Sequence, residues 1–187
     1  VEKIKDTVVD MTKNTILFCK KNKKKFIFST KFKHGKEFKN EMNFYRQNLS
    51  KEDFAFLLKN SFKYKIRDAK SKYFNKDFSS YIAIFQSDVV IGNITSMLRE
   101  KVSLGGKILA CNFTNLDIFD FPLKKFLLLK DGSYEEFEKR LFLILNMKDK
   151  IFHEKLSVKK NFIIERSNAD NTIKKINHII NSKIIKI

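Results

Sequence analysis

Glycine and proline are scarce in this chain: five glycines and one proline among 187 residues, with no tryptophan and only two cysteines. So little glycine and proline excludes a collagen-like repeat, a low-complexity linker and a fold dominated by turns. Two cysteines, Cys19 and Cys111, cannot build a disulfide framework and suit a reducing compartment. Long uncharged runs are missing too, since no apolar stretch approaches the roughly 18 residues that a membrane-spanning helix needs. The opening residues, "VEKIKDTVVDMTK", carry charge throughout instead of an apolar export segment. These absences predict a cytoplasmic protein. What is present, 43% hydrophobic and 13% aromatic residues, is enough to bury an ordinary core, and a single domain over 1–187 is expected. The first residue is Val1, which leaves room for a longer parent chain.

Charge of one sign is abundant. A formal net charge of +18 would ordinarily point to nucleic acid or to an anionic membrane surface. The basic residues are, however, mostly lysines scattered through every segment, in a Lys-, Asn-, Ile- and Phe-rich composition of the kind an AT-rich gene produces whatever its function. The one dense run is "KKNKKKF", Lys20 to Phe26, and lysines in the last turn of a helix complement its dipole. There is no arginine stripe, zinc-finger spacing or aromatic-basic strand pattern, so nucleic acid is not the expected partner.

Apolar residues at Ile4, Val8, Met11, Thr15 and Phe18 recur every three or four positions and predict a helix over Ile4–Lys21. "KFIFSTKF", Lys25 to Phe32, has the composition of a strand and ends in a loop marked by Gly35. Phe38, Met42 and Tyr45 predict a second helix. Ser50 and Asp53 have the reciprocal spacing that caps a third. "FKYKIRD" alternates like a short strand, a lysine-rich loop spans Ala69 to Lys76, and "DFSSYIAIFQS" reads as a helix. Then come a strand Asp88–Gly92, a helix Thr95–Leu104 and a strand Lys107–Asn112. Beyond Pro122 follow a strand in "KFLLLKD" and a helix in "SYEEFEKRLFLILNM", capped by Ser133 with Phe137, Leu141 and Leu145 on one face. Helices at Ile151–Leu156 and over 168–187 close the chain, the last packing back on the body. Strands interleaved with helices imply an α/β class: a Rossmann-like, three-layer α/β/α domain with a mainly parallel sheet.

In such sheets ligands bind beyond the carboxyl ends of the strands. "GNITS" occupies that position. Gly92 ends a strand, and Asn93, Thr95 and Ser96 open the following helix, whose free N–H groups and dipole suit a phosphate. Read blandly, Asn93 or Thr95 is only an N-cap, worth roughly 1 kcal/mol. The pattern is neither a Walker motif nor a three-glycine dinucleotide fingerprint. Arg99 could neutralise a diphosphate and Glu100 could accept from a ribose; equally, they form an exposed helical pair. Gly105-Gly106 reads as a helix stop with glycine in the left-handed conformation.

The run "YIAIFQSDVVIGNITSMLREKVSLGGKILACNF", followed by "DFP" and "SYEEFEKRLFLIL", resembles the C-terminal, donor-binding half of GT-B glycosyltransferase-like proteins of bacterial surface polysaccharide synthesis. The group comprises CDP-glycerol glycerophosphotransferases, capsule polysialyltransferases and surface-carbohydrate transferases. The likeness covers Tyr81 to about Asn146, with Lys25–Asp68 fitting in order of elements only. It implies a nucleotide-sugar or CDP-polyol donor as substrate, with no separate cofactor, held at Gly92, Asn93, Thr95, Ser96, Arg99 and Glu100. His34 and Glu37 of the "HGKE" loop would bring a basic or acid/base group to it. A glycan or lipid-linked acceptor and peripheral contact with an anionic inner membrane surface are the further partners implied. A GT-B enzyme has two Rossmann-like halves, and this chain has the length of one, so an N-terminal acceptor half is expected elsewhere. The alternative of a different class is a basic nucleic-acid-binding or membrane-associated module without catalysis.

Other constellations fail. His34, His153 and His178 have no ligand spacing with each other or with a cysteine, and "DIFD", Asp117 to Asp120, lacks the spacing of a metal-binding DxD; no metal site is expected. No Gly-x-Ser-x-Gly elbow is present. Cys111 reads as a buried packing residue rather than a nucleophile.

Overall fold

The computed structural model describes residues 2–61, 79–122 and 125–156, which belong to one compact unit. The expected strand "FKYKIRD", the loop Ala69–Lys76 and the helix over 168–187 lie outside the described residues.

Seven helices and three strands are described: α1 (Glu2–Lys21), α2 (Gly35–Asn48), α3 (Lys51–Lys59), α4 (Ser79–Gln86), β1 (Val89–Gly92), α5 (Ser96–Ser103), β2 (Lys107–Cys111), β3 (Leu128–Leu129), α6 (Tyr134–Asn146) and α7 (Asp149–Leu156). The strands form a parallel sheet in the order β1-β2-β3, with Val89 opposite Lys107 and Ala110 opposite Leu128. The class is therefore α/β with a parallel sheet, as the alternation of elements predicts. Successive residues of β2, Ile108 to Cys111, are all buried, so both faces of the sheet are covered. Gly92 pairs with Ala110, and a Cβ on Gly92 would meet Thr95 and Leu98 at 3.0 and 3.5 Å, so that face carries α5. Lys107 projects from the opposite face, and its Nζ reaches the carbonyls of Leu145 (3.4 Å) and Met147 (2.6 Å) at the end of α6. Helix, sheet and helix make the three layers.

Two apolar clusters anchor this frame. One joins the sheet to α5, α6 and α7 through Leu98, Ile108, Leu109, Leu127, Phe137 and Phe152; the other joins α1, α2 and α3 through Ile16, Met42, Tyr45 and Leu57. Helix α1 serves both, sending Phe18 and Cys19 to the first and Val9 and Ile16 to the second. Its buried threonines, Thr7, Thr12 and Thr15, donate to the carbonyls four residues back, which satisfies hydroxyls that burial would otherwise penalise. The face of α6 that packs inward consists of Phe137, Leu141 and Ile144, with Leu145 only half-buried.

Local capping follows the residue chemistry. Ser50 accepts from Asp53 N at 3.0 Å and donates to its carboxylate, while Lys20 reaches Glu52 and Asp53 from α1. Burial pushes the Asp53 carboxyl up, but the hydrogen bonds from Lys20 and Ser50 outweigh it and hold the group below the usual carboxylate range. Helix α5 ends in a Schellman motif, with Gly105 at φ +80 and Gly106 N donating to Lys101 O at 2.8 Å. Helix α1 ends in the same motif. There Lys24 N donates to Cys19 O at 2.9 Å, but the left-handed position is held by Lys23, at φ 50. A side chain there is strained where glycine is not. Lys23→Gly is accordingly expected to raise the unfolding free energy by about 1 kcal/mol, read as a higher denaturant midpoint with unchanged slope; a fall in the midpoint would contradict the strain.

Two expected strands are corrected. Lys25–Phe32 contributes one isolated bridge, Phe28 with Ser61, and is otherwise irregular. Its donors go elsewhere, for the N–H groups of Lys31 and Phe32 both bond the Glu41 carboxylate, at 2.9 and 3.0 Å. Phe26 and Phe28 pack against Phe56 and Tyr45. In "KFLLLKD" a 3₁₀ turn over Lys125–Leu127 leaves only Leu128–Leu129 as strand. Gly35, expected in a loop, starts α2 at φ +80.

Candidate functional site

A cleft of about 810 Å³ runs along the edge of β1 that pairs with no strand among the described residues. One wall is β1 with its flanks, from Ser87 to Met97, and α4 contributes Ser80, Ala83, Ile84 and Gln86. The facing wall is the irregular segment Lys24–Lys31, with Thr12 and Thr15 of α1 and Glu41 and Tyr45 of α2. A volume of this size lies within the roughly 300–1,000 Å³ of small-molecule sites.

At the carboxyl end of β1 the backbone must pass into α5 within a few residues. Gly92 does not adopt a left-handed conformation there; its lack of a side chain makes room for the methyl of Thr95. Asn93 Oδ1 accepts from Ile94 N at 2.6 Å, and Thr95, the N-cap, accepts from Met97 N at 3.3 Å. The bland and the functional readings of Thr95 therefore coexist: it caps the helix, and it lines the cleft beside the exposed Ser96. Asn93 Nδ2 is buried with no hydrogen-bond partner among the described residues.

Of the eight residues singled out from sequence, Gly92, Asn93, Thr95 and Ser96 come together on the cleft wall, while Arg99, Glu100, His34 and Glu37 are not among its lining residues. Arg99 is exposed on α5. Glu100 turns to α4, where its carboxylate beside the Tyr81 phenol pushes that group up. His34 is the N-cap of α2 and makes no side-chain cap bond; both it and Glu37, in the first turn, are exposed. From α2 it is Glu41, one turn beyond Glu37, that reaches the cleft.

The cleft carries charge of both signs. Lys24, Lys25 and Lys31 contribute cations, and Asp88 and Glu41 contribute carboxylates. Glu41 is occupied by two backbone donors. Burial, then the charge of Glu41, pushes the Tyr45 phenol up to about 12, and burial pushes the Cys19 thiol up to about 11. Both stay protonated at neutral pH, so neither supplies an anionic nucleophile. Cys111 is fully buried and its thiol is pushed further up by burial, which fits the packing role read from sequence.

Sequence reasoning missed two structural polar groups beside this site. Lys101, 8% exposed, lies under the C-terminal end of α4 and donates to Ile84 O (2.9 Å) and Ser87 O (2.6 Å); burial pulls its ammonium down, against the opposing charge of Asp88. Asn112, fully buried just past β2, donates to Leu116 O and Asp120 Oδ1 and accepts from the N–H and hydroxyl of Thr114. Nothing in a spacing rule marks either residue, because each is defined by contacts across loops. No group of His, Cys, Asp or Glu among the described residues could hold a metal ion, and no helix among them is long and apolar enough to cross a membrane. Set against protein-family models, curated proteins and solved structures, the chain matches none.

Proposed function

We propose that the cleft binds a nucleotide-activated donor, and that the chain is the donor-binding half of a GT-B-type glycosyltransferase in surface polysaccharide assembly. The observation that carries this reading is the start of α5, with Thr95 and Ser96, opening on a cleft at the carboxyl end of a parallel strand. Two hydroxyls and the positive end of a helix dipole are suited to a diphosphate, which would compete with Thr95 for the Met97 amide. Stabilising the departing nucleoside diphosphate by fixed donors needs no metal. On this reading the acceptor and a second Rossmann-like half come from elsewhere, and His34 and Glu37, exposed at the start of α2, meet the donor only when that half is in place. The work would be done in the cytoplasm, at the inner face of the membrane where lipid-linked acceptors reside.

Thermal-shift titration with UDP, CDP, CMP and GDP tests it, because a ligand that binds only the folded state must raise its melting temperature. At least one nucleotide is expected to stabilise the chain; no shift with any would end the proposal. Thr95→Ala with Ser96→Ala should weaken that nucleotide about tenfold, the loss of one or two anion-directed hydrogen bonds. Since losing the cap itself costs about 1 kcal/mol of stability, the shift is read against the variant's own ligand-free midpoint.

A further inference from the structure

The irregular wall of the cleft has the makings of a missing strand. "KFIFSTKF" is rich in β-forming residues, and one of its edges is already engaged: Phe28 N donates to Asn60 O at 3.0 Å, and Phe28 bridges Ser61 in parallel. In a parallel ladder the residue whose N–H and C=O point to one neighbour alternates with residues pointing to the other side. Phe28 points to Ser61, so its neighbours Ile27 and Ser29 point away from it, and the alternation ends before the bend where Lys31 and Phe32 both turn to Glu41. On the far side of the cleft lies β1, which pairs with β2 on one edge only among the described residues. The backbone N–H groups of Ile27 and Ser29 bond no group among the described residues, whereas that of Lys31 is taken by Glu41 at 2.9 Å. The segment is also tied to α4, through Ser29 Oγ and Ser80 Oγ at 3.1 Å. A segment of strand composition, a facing strand edge that is unpaired among the described residues and a carboxylate holding the segment's end are three separate observations.

We propose that Lys25–Lys31 is a strap that closes on β1 as a fourth parallel strand, and that Glu41 is the latch that keeps it open. Closing gives up the bonds that Lys31 and Phe32 donate to Glu41 in favour of ladder bonds donated by Ile27 and Ser29, and fills the cleft; a ligand along β1 holds the strap in its open position. This regulates the site proposed above and rests on that reading only for its ligand arm. The strap sets access, and Glu41 acts through it as a positioning residue.

The test is amide hydrogen exchange on the full chain without ligand. Glu41→Ala releases the latch. Ile27 and Ser29 are then expected to exchange roughly tenfold to a hundredfold more slowly than in the parent, as groups that gain a ladder bond do. Glu41→Gln, which keeps the shape and one acceptor oxygen, should show part of the slowing, and it serves if the alanine variant folds poorly. Faster or unchanged exchange at these amides in both variants would overturn the strap, whatever nucleotides do. In the ligand arm, a nucleotide that stabilises the parent should bind Glu41→Ala at least severalfold more weakly and restore fast exchange to the two amides; binding that leaves them slow would show that strap and ligand do not compete. Failure of every nucleotide to bind the parent would instead remove the donor reading and leave the exchange result standing.

Discussion

Asn112→Asp is expected to lower the unfolding free energy at neutral pH by about 3–5 kcal/mol, the range for an uncompensated buried charge. The exchange of one atom removes both donors, so Leu116 O and Asp120 Oδ1 lose the bonds they now receive at 3.0 and 2.6 Å. It also sets a second carboxylate against Asp120, whose own group is held low by Lys130 first, with burial opposing and the Asn112 bond assisting. A carboxyl in that place has its folded pKa raised above the unfolded value of about 3.9. The sign follows from linkage: the share of the deficit due to charge is absent below the unfolded pKa, grows as pH climbs through the interval, and is complete above the folded pKa. Urea unfolding of parent and variant at about pH 7.5 and about pH 4 should therefore give curves that converge on acidification. A deficit that is the same at both values, or below about 1 kcal/mol, would show that the Asn112 cluster does not act as described.

Gly106→Ala should destabilise by about 2–4 kcal/mol, far more than a methyl group in a loop ordinarily does. The added Cβ would occupy the space of Lys101 Cδ and Cε, and that stem is pinned by the two carbonyls its ammonium serves. A long flexible chain normally yields; this one can yield only by giving up charge-assisted bonds, worth roughly 1.5–3 kcal/mol each. The decisive measurement is a double-mutant cycle. In a Lys101→Ala background the obstruction is gone, and Gly106→Ala should change stability by less than about 0.5 kcal/mol, a coupling that independent sites do not show. Additive effects would mean that the glycine serves backbone conformation alone.

The contrast between the Gly105-Gly106 stop and the strap explains what could be read in advance. The stop at Gly105-Gly106, the Ser50 and Ser133 caps and the start of α5 at Thr95 were legible because each is a short-range contract between neighbouring residues. The parallel character of the sheet followed from the alternation of elements; the strand order did not. The second role of Gly106, as the floor under Lys101, was invisible, since nothing near it in sequence says that a lysine will be buried there. Lys25–Phe32 misled for the same reason: its composition suits a strand, but strand formation needs a partner edge, and the competing acceptor, Glu41, belongs to a helix nine or ten residues on. Half of the candidate site suffered likewise. Gly92, Asn93, Thr95 and Ser96 lie within five successive residues and reach the cleft together, whereas Arg99, Glu100 and Glu37 depend on which way a helix face turns and His34 on how its helix begins. Thr12, Thr15 and Tyr45, which the structure places on the wall, look in sequence like core positions of amphipathic helices.

The placement of Lys101 has a mechanical consequence. By gripping the last turn of α4 at Ile84 and the bend at Ser87 with one ammonium, it rivets α4 to α5 and leaves the chain between them no slack. That side of the cavity is a braced jaw, and on the strap proposed above the gape is set by the jaw opposite.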